Sequence, residues 1–198
     1  MTYADVLRPS AKRYTLLYDV ALIVAGSFFI AACAQVAIPL PFSPVPVTGQ
    51  TLAVLLTGAL LGSRRGSLCL LAYLFEGAAG LPFFAGGNAG LVYLLGPTGG
   101  YLIGFVVAAG ITGRLSEKGW DRRVGTTVAA MLFGHAAIYA FGLAWLAFFT
   151  GVPRVLPLGL YPFLVGDLVK LILAAILLPS GWRILGLQKT DMETVCKK

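Results

Sequence analysis

LGLYPFLVGDLVKLILAAILLP, residues 158–179, is an apolar run interrupted only by Asp167 and Lys170. Its length suits a bilayer crossing, which takes about 20 residues in a helix. Either charge costs roughly 2.5–3.5 kcal/mol at a bilayer centre on insertion scales. Three residues apart, the two lie on nearly the same helix face and can partner each other. A buried ion pair gains little over apolar side chains of similar volume. The pair therefore reads as a site that holds something polar inside the membrane. A carboxylate acceptor beside an ammonium donor suits a small ligand carrying N–H groups near a carbonyl or carboxylate. An intramembrane Asp would serve a proton relay equally well, so the pair by itself leaves a binding protein and a proton-coupled carrier both open.

Five further apolar runs lie upstream, at about 15–37, 47–63, 66–81, 92–113 and 124–150. The chain is 58% hydrophobic and 12% charged, against about 25% charged in an ordinary soluble domain. An integral membrane protein follows, expected as an all-α bundle of six transmembrane helices. A single transmembrane domain over residues 1–198 is expected, with polar tails at 1–14 and 180–198. The first run is longer than the 7–15 residues of a signal-peptide core, so it reads as a retained helix.

Charge segregation sets the orientation. Arg8, Lys12 and Arg13 precede the first run; Arg64 and Arg65 separate the second and third. Arg114, Lys118, Arg122 and Arg123 separate the fourth and fifth, while Arg183, Lys189, Lys197 and Lys198 follow the sixth. The alternate connections carry only Arg154. The positive-inside rule then places both termini in the cytoplasm and makes the sixth helix run inward. At 1.5 Å per residue, Asp167 lies roughly 13 Å below its outer end and Lys170 about 18 Å. The net charge of +7 is thus a topology signal and not a nucleic-acid footprint.

The three outer connections differ from ordinary turns. IPLPFSPVPVTGQ (38–50) holds four prolines, which fix φ and remove donors, so it is expected to be stiff and non-helical. GLPFFAGGNAG (80–90) is rich in Gly and aromatic residues around Asn88, and TGVPRVLPLG (150–159) again bears proline. Irregular backbone at membrane depth is tolerated where it is buried or lines a cavity, so these segments read either as a lid over a ligand pocket or as tight turns with interfacial Phe. Gln50, Tyr139 and Trp145 are candidate pocket-lining residues. Gly96, Gly100 and Gly104 form a stripe that permits close helix approach.

Other chemistries are poorly supported. His135 is the single histidine, and Cys33, Cys69 and Cys196 are scattered without a CxxC pair, so no metal site or cofactor is expected. His135 reads as a hydrogen-bonded bundle residue and Glu76 as a carboxylate solvated near the outer interface. There is no HExxH, GxSxG or GxxxxGK[ST] motif. No enzyme is expected, and any ATP-driven step must come from another subunit.

Several segments together resemble one family. PFSPVPVTGQTLAVLLTGALLG (41–62), GLPFFAGGNAG (80–90), LGPTGGYLIGF (95–105), IYAFGLAWL (138–146) and GDLVK (166–170) are similar to BioY proteins. Gly49 and Glu76 depart from its more apolar pattern. The resemblance implies the biotin-specific S component of an energy-coupling factor transporter in the bacterial cytoplasmic membrane. It implies that Asp167, Lys170 and Asn88 contact biotin. It also implies that the AxxxA pair Ala21 and Ala25 docks a transmembrane coupling subunit driven by ATP-binding cassette ATPases. Membrane lipid would cover the remaining surface. The rival reading is a stand-alone proton-coupled carrier of biotin or a similar small carboxylate, with Asp167 as its protonation site.

Overall fold

In a computed structural model of the protein, which describes residues 1–9 and 12–186, most of the chain is helical. Lys189, Lys197, Lys198 and Cys196 lie outside the described residues. In chain order the elements are α1 (Tyr3–Val6), α2 (Lys12–Gln35), β1 (Ala37–Leu40), β2 (Ser43–Thr48), α3 (Gln50–Leu61) and α4 (Ser63–Ala78). They continue with α5 (Leu91–Leu95), α6 (Gly99–Glu117), α7 (Val124–Thr150), α8 (Val152–Gly159) and α9 (Tyr161–Ile184).

Among the described residues, four helical stretches are long and apolar enough to cross a membrane: Tyr14–Gln35, Gly99–Glu117, Val124–Thr150 and Val152–Ile184. The expected fifth span at 124–150 coincides with α7. Elsewhere the boundaries move for local reasons. The second and third runs are α3, with 12 residues, and α4, with 16, both short of a full crossing length. Ser63, Arg64 and Arg65 are not a connection but the first turn of α4. Only Gly62 separates the two helices, at φ +88°, a left-handed backbone that favours glycine. The fourth run breaks before Gly99, because Pro97 has no N–H to continue α5. Before α9, the residues expected to open the sixth span form the separate helix α8.

The all-α expectation also needs one correction. The Pro-rich connection folds as an antiparallel hairpin of β1 and β2, paired Ala37 with Thr48, Ile38 with Val47 and Leu40 with Ser43. The register is irregular at Pro39, which cannot donate to the ladder.

Helix α3 sits at the centre, against α2, α4, α6 and α9. It is apolar around most of its circumference, and Ala53, Val54, Leu55, Thr57, Gly58 and Ala59 are all buried. Around it, α9 buries Phe163, Asp167, Ala174 and Leu178 on one face. Its opposite face exposes Leu164, Val165, Leu168, Ile172 and Ile176. An exposed apolar face of that size belongs in lipid. The glycine stripe works as expected at two positions: a side chain on Gly100 would strike Phe141 O and Trp145, and one on Gly104 would meet Ile138 Cα at 3.0 Å.

The basic connections gather at one end of the bundle. Arg65 bridges Asp5 at 2.7 Å and Asp19 at 2.8 Å, tying α1, α2 and α4 together. Burial would raise the Asp5 carboxyl, but bonds from Thr2 and Arg65 hold it below the usual carboxylate range. Trp182 Nε1 donates to the buried Asp121 at 2.7 Å, and Arg122 lies over the Trp182 ring. Burial pushes the Asp121 carboxyl up, with the Trp182 bond acting against it. The hairpin, the 80–90 loop and α8 all lie at the other end.

The close crossing of α3 and α6 gives a stability test. A methyl on Gly58 would lie 2.5 Å from Ala109 O and 2.8 Å from Ala109 Cα, backbone atoms that cannot rotate away. Gly58→Ala should destabilise by about 1–3 kcal/mol, read as a lowered unfolding midpoint in detergent. Gly125→Ala, with nothing within 4 Å, should be close to neutral.

Candidate ligand-binding site

Asp167 is buried, with 7% of its surface exposed, and three helices supply its hydrogen bonds. From α9 itself, one turn on, Lys170 Nζ donates to Oδ1 at 3.1 Å. From α3, Thr51 Oγ1 donates to the same oxygen at 3.3 Å, while accepting from Lys170 Nζ at 2.7 Å. From α7, the Tyr139 hydroxyl donates to Oδ2. His135, one turn before Tyr139, lies behind the carboxylate with Nε2 3.7 Å from Oδ1. Its Nδ1 is 2.9 Å from Met131 O in the same helix.

These groups face a narrow cavity of about 50 Å³, walled by Tyr93, Tyr101, Phe105, Ile138 and Phe163 and roofed by Val45 and Pro46 of the hairpin. That is room for only a few water molecules, each of which needs about 10–15 Å³ of such space. Directly outward lies a second space of about 650 Å³, lined by Pro39, Ser43 and Pro44 of the hairpin and by Gly86, Asn88 and Pro97. The two spaces share Pro46, Ala85, Tyr93 and Thr98 as their common wall. Together they fall in the range of small-ligand pockets, about 300–1,000 Å³.

The lid segments are anchored rather than loose. Ser43 Oγ of the hairpin donates to Leu158 O of α8 at 2.7 Å. In the 80–90 loop, fully buried Phe84 stacks on Tyr93 with ring centres 5.0 Å apart and meets Tyr73 edge-on at 5.7 Å. Gly77 leaves room for that ring, since any side chain there would strike it. Gln50 Nε2 donates to Tyr73 OH at 2.6 Å, and Tyr73 OH to Phe83 O at 3.1 Å, so pocket wall and loop share one chain of bonds.

The candidate residues are thus distributed unevenly. Asp167, Lys170, Gln50 and Tyr139 share the inner cavity. Asn88 stands apart in the outer space, where its Nδ2 donates to Ala85 O at 2.6 Å. Trp145 does not join them: its Nε1 donates to Gly96 O at 2.9 Å, and its ring borders a lateral groove with Gly100, Phe141 and Phe148. An indole in an all-round apolar helix goes where its single N–H finds an acceptor. Ala21 and Ala25 are exposed on the outer face of α2. Glu76 is half-buried against α2, where Ser27 Oγ donates to it at 3.2 Å, not open to solvent. Sequence reasoning missed Thr51 and underrated His135. Neither carries a charge that makes its place in an apolar run costly.

An anchored lid, a convergent polar cluster at membrane depth and apolar walls define a membrane-embedded small-molecule binding protein. The chain belongs to the BioY family, whose model matches residues 8–187. It is 39% identical over 148 residues to the biotin transporter BioY of Rhizobium etli, covering 71% of this chain and 79% of that one. It is 36% identical over 173 residues to the biotin transporter BioY of Thermotoga maritima, covering 87% and 98%. The crystal structure of the S-component for biotin from an ECF-type ABC transporter superposes with a TM-score of 0.73 at 26% identity, covering 88% of this chain and 95% of that one.

Tyr139→Phe removes the donor to Asp167 Oδ2 and leaves that buried oxygen short of a partner. A loss of about 1–3 kcal/mol in stability is expected, measured as a lowered thermal midpoint in detergent.

Proposed function

We propose that this protein takes up biotin as the substrate-binding S component of an energy-coupling factor transporter. Membership of the BioY family supports this reading, and the carrying observation is the Asp167–Lys170–Thr51–Tyr139 cluster beneath an anchored lid. Biotin's ureido ring presents two N–H donors and a strongly accepting carbonyl, and its aliphatic tail ends in a carboxylate. Asp167 accepts a ureido N–H and Lys170 donates to the ureido oxygen. Asn88, apart in the outer space, serves the carboxylate end, so the two polar ends of an elongated ligand are held separately. Tyr101, Phe105 and Phe163 pack the ring system and tail. The inner cavity is too narrow for the ring system as it stands, so Lys170 and the rim shared with the outer space shift on entry.

The chain forms one transmembrane domain that crosses the cytoplasmic membrane six times, with α3 and α4 as short central crossings. Both termini lie in the cytoplasm, because the Arg-bearing connections cluster at the end away from the lid. Biotin enters from outside. A transmembrane coupling subunit with ATP-binding cassette ATPases docks on α2, where exposed Ala21 and Ala25 allow close helix approach. This chain performs no catalysis and holds no cofactor of its own.

Purified protein in detergent should bind biotin saturably at micromolar concentration or below; absence of binding would sink the reading. Asp167→Asn should weaken that binding by about 1.5–3 kcal/mol, the worth of a charge-assisted hydrogen bond, or roughly ten- to hundredfold. Ala21→Leu with Ala25→Leu should leave biotin affinity intact and abolish uptake into cells. Uptake by proteoliposomes containing this chain alone, stopped by an uncoupler, would instead establish a stand-alone proton-coupled carrier.

A further inference from the structure

His135 is 6% exposed, and its Nε2 is a buried nitrogen without a hydrogen-bond partner among the described residues. Its other nitrogen faces the Met131 carbonyl at 2.9 Å. A carbonyl only accepts, so Nδ1 carries a proton. In a neutral ring Nε2 is then a bare lone pair, 3.7 Å from a carboxylate oxygen that likewise only accepts. While the carboxylate is ionised, the two can bond only when a second proton sits on Nε2. The charged groups on this side of the ring are Asp167 of α9, 3.7 Å from Nε2, and Lys170, which pairs with Asp167; Tyr139 lies one turn along α7, and Tyr101 of α6 and the neutral Thr51 of α3 line the cavity that Asp167 faces. Lys170 is the cation that balances Asp167 at present, at 3.1 Å. The ammonium also reaches into the narrow cavity that a ligand must occupy.

We infer that His135 takes up a proton from the outer solvent when ligand binds and replaces Lys170 as the counter-ion of Asp167. The inference rests on the biotin-binding reading above. A ligand that enters the inner cavity draws Lys170 Nζ to its own acceptor oxygen. Its N–H groups give Asp167 hydrogen bonds but no positive charge, and a carboxylate at this depth is costly without one. Protonation of Nε2 restores the charge and lets the orphaned nitrogen donate to Oδ1. Imidazole is the side chain whose charge ordinarily changes between pH 5 and 8. His135 thereby acts as a positioning residue that holds Asp167 ionised and oriented while Lys170 is engaged elsewhere. The sign follows from linkage: the bound state holds one more proton, so affinity weakens as pH rises, by at most about tenfold per pH unit.

The chain contains one histidine, which allows a direct readout. Protein labelled with nitrogen-15 histidine and purified without a histidine tag has a single imidazole to observe. At pH about 7.5, addition of biotin should move Nε2 from the unprotonated to the imidazolium chemical shift. Calorimetry in two buffers of different ionisation heat should count the uptake of up to one proton. Biotin affinity should fall between pH 6 and 8.5 in the wild type and stay level in His135→Gln, with no proton taken up by the variant. Saturable binding with an unchanged imidazole signal and no proton uptake overturns the inference while leaving biotin binding intact. Proton uptake that persists in His135→Gln overturns it as well. A wild-type protein that binds no biotin at any pH fails both readings.

Discussion

A carboxylate held at membrane depth must be solvated by protein, and the arrangement of this bundle follows from how Asp167 meets that demand. Its acceptors are filled from α3, α7 and α9 at once, by Thr51, Tyr139 and Lys170. Those helices are therefore fixed around one point, and the point lies under the outer loops. Helix α3 can be short because it is enclosed; its apolar residues need no lipid to cover them. Helix α9 bears the asymmetry, with the charge pair on its inner face and branched aliphatic residues on the outer one. The same cluster that stabilises the centre supplies the charged wall of the inner cavity, so in the proposed site solvation of Asp167 and ligand recognition draw on the same few atoms.

That sharing explains why the cavity is narrow. With Lys170 turned onto Asp167 and Thr51, the polar groups satisfy one another and little free space remains. A ligand has to offer equivalent hydrogen bonds before the pair can separate, since a buried donor or acceptor left unmade costs about 1–3 kcal/mol. An apolar molecule of similar shape could fill the volume but not supply those bonds. In the proposed site, selectivity arises less from shape than from the exchange of partners at Asp167, and the asymmetric loss for ligands lacking N–H groups follows from that proposal.

The sequence made some of this legible and concealed the rest, for physical reasons. Asp167 and Lys170 stand out because charges in an apolar run are expensive, and the segregation of arginine and lysine was visible without any geometry. Helix α7 was legible to the residue because Arg123 and Gly151 bound a long, largely apolar stretch. The prolines of residues 38–50 correctly excluded helix, yet they also hid the hairpin, because Pro39, Pro44 and Pro46 remove the donors by which a strand is ordinarily recognised. Thr51 and His135 were obscure as site residues because a neutral polar side chain costs too little in a helix to advertise a partner. The placement of Trp145 failed for a related reason: α7 is apolar on every side, so no periodicity marks which face turns inward.

The lid shows how stiffness and access are reconciled. A flexible loop over a polar cavity would lose conformational entropy each time it closed, at roughly 1–2 kcal/mol per residue ordered. Here that entropy is already lost: prolines restrict the hairpin, Phe84 is seated between Tyr73 and Tyr93, and Ser43 is tied to α8. On the proposed reading what has to move is small, namely the Lys170 side chain and the rim of Pro46, Ala85, Tyr93 and Thr98 that the two spaces share. Binding energy is then spent on exchanging hydrogen bonds rather than on ordering backbone. On the proposed reading, a preformed lid over a self-satisfied ion pair suits tight holding of a small molecule. Tight holding implies slow release, which is the physical reason the proposed coupling module would have to supply work for turnover.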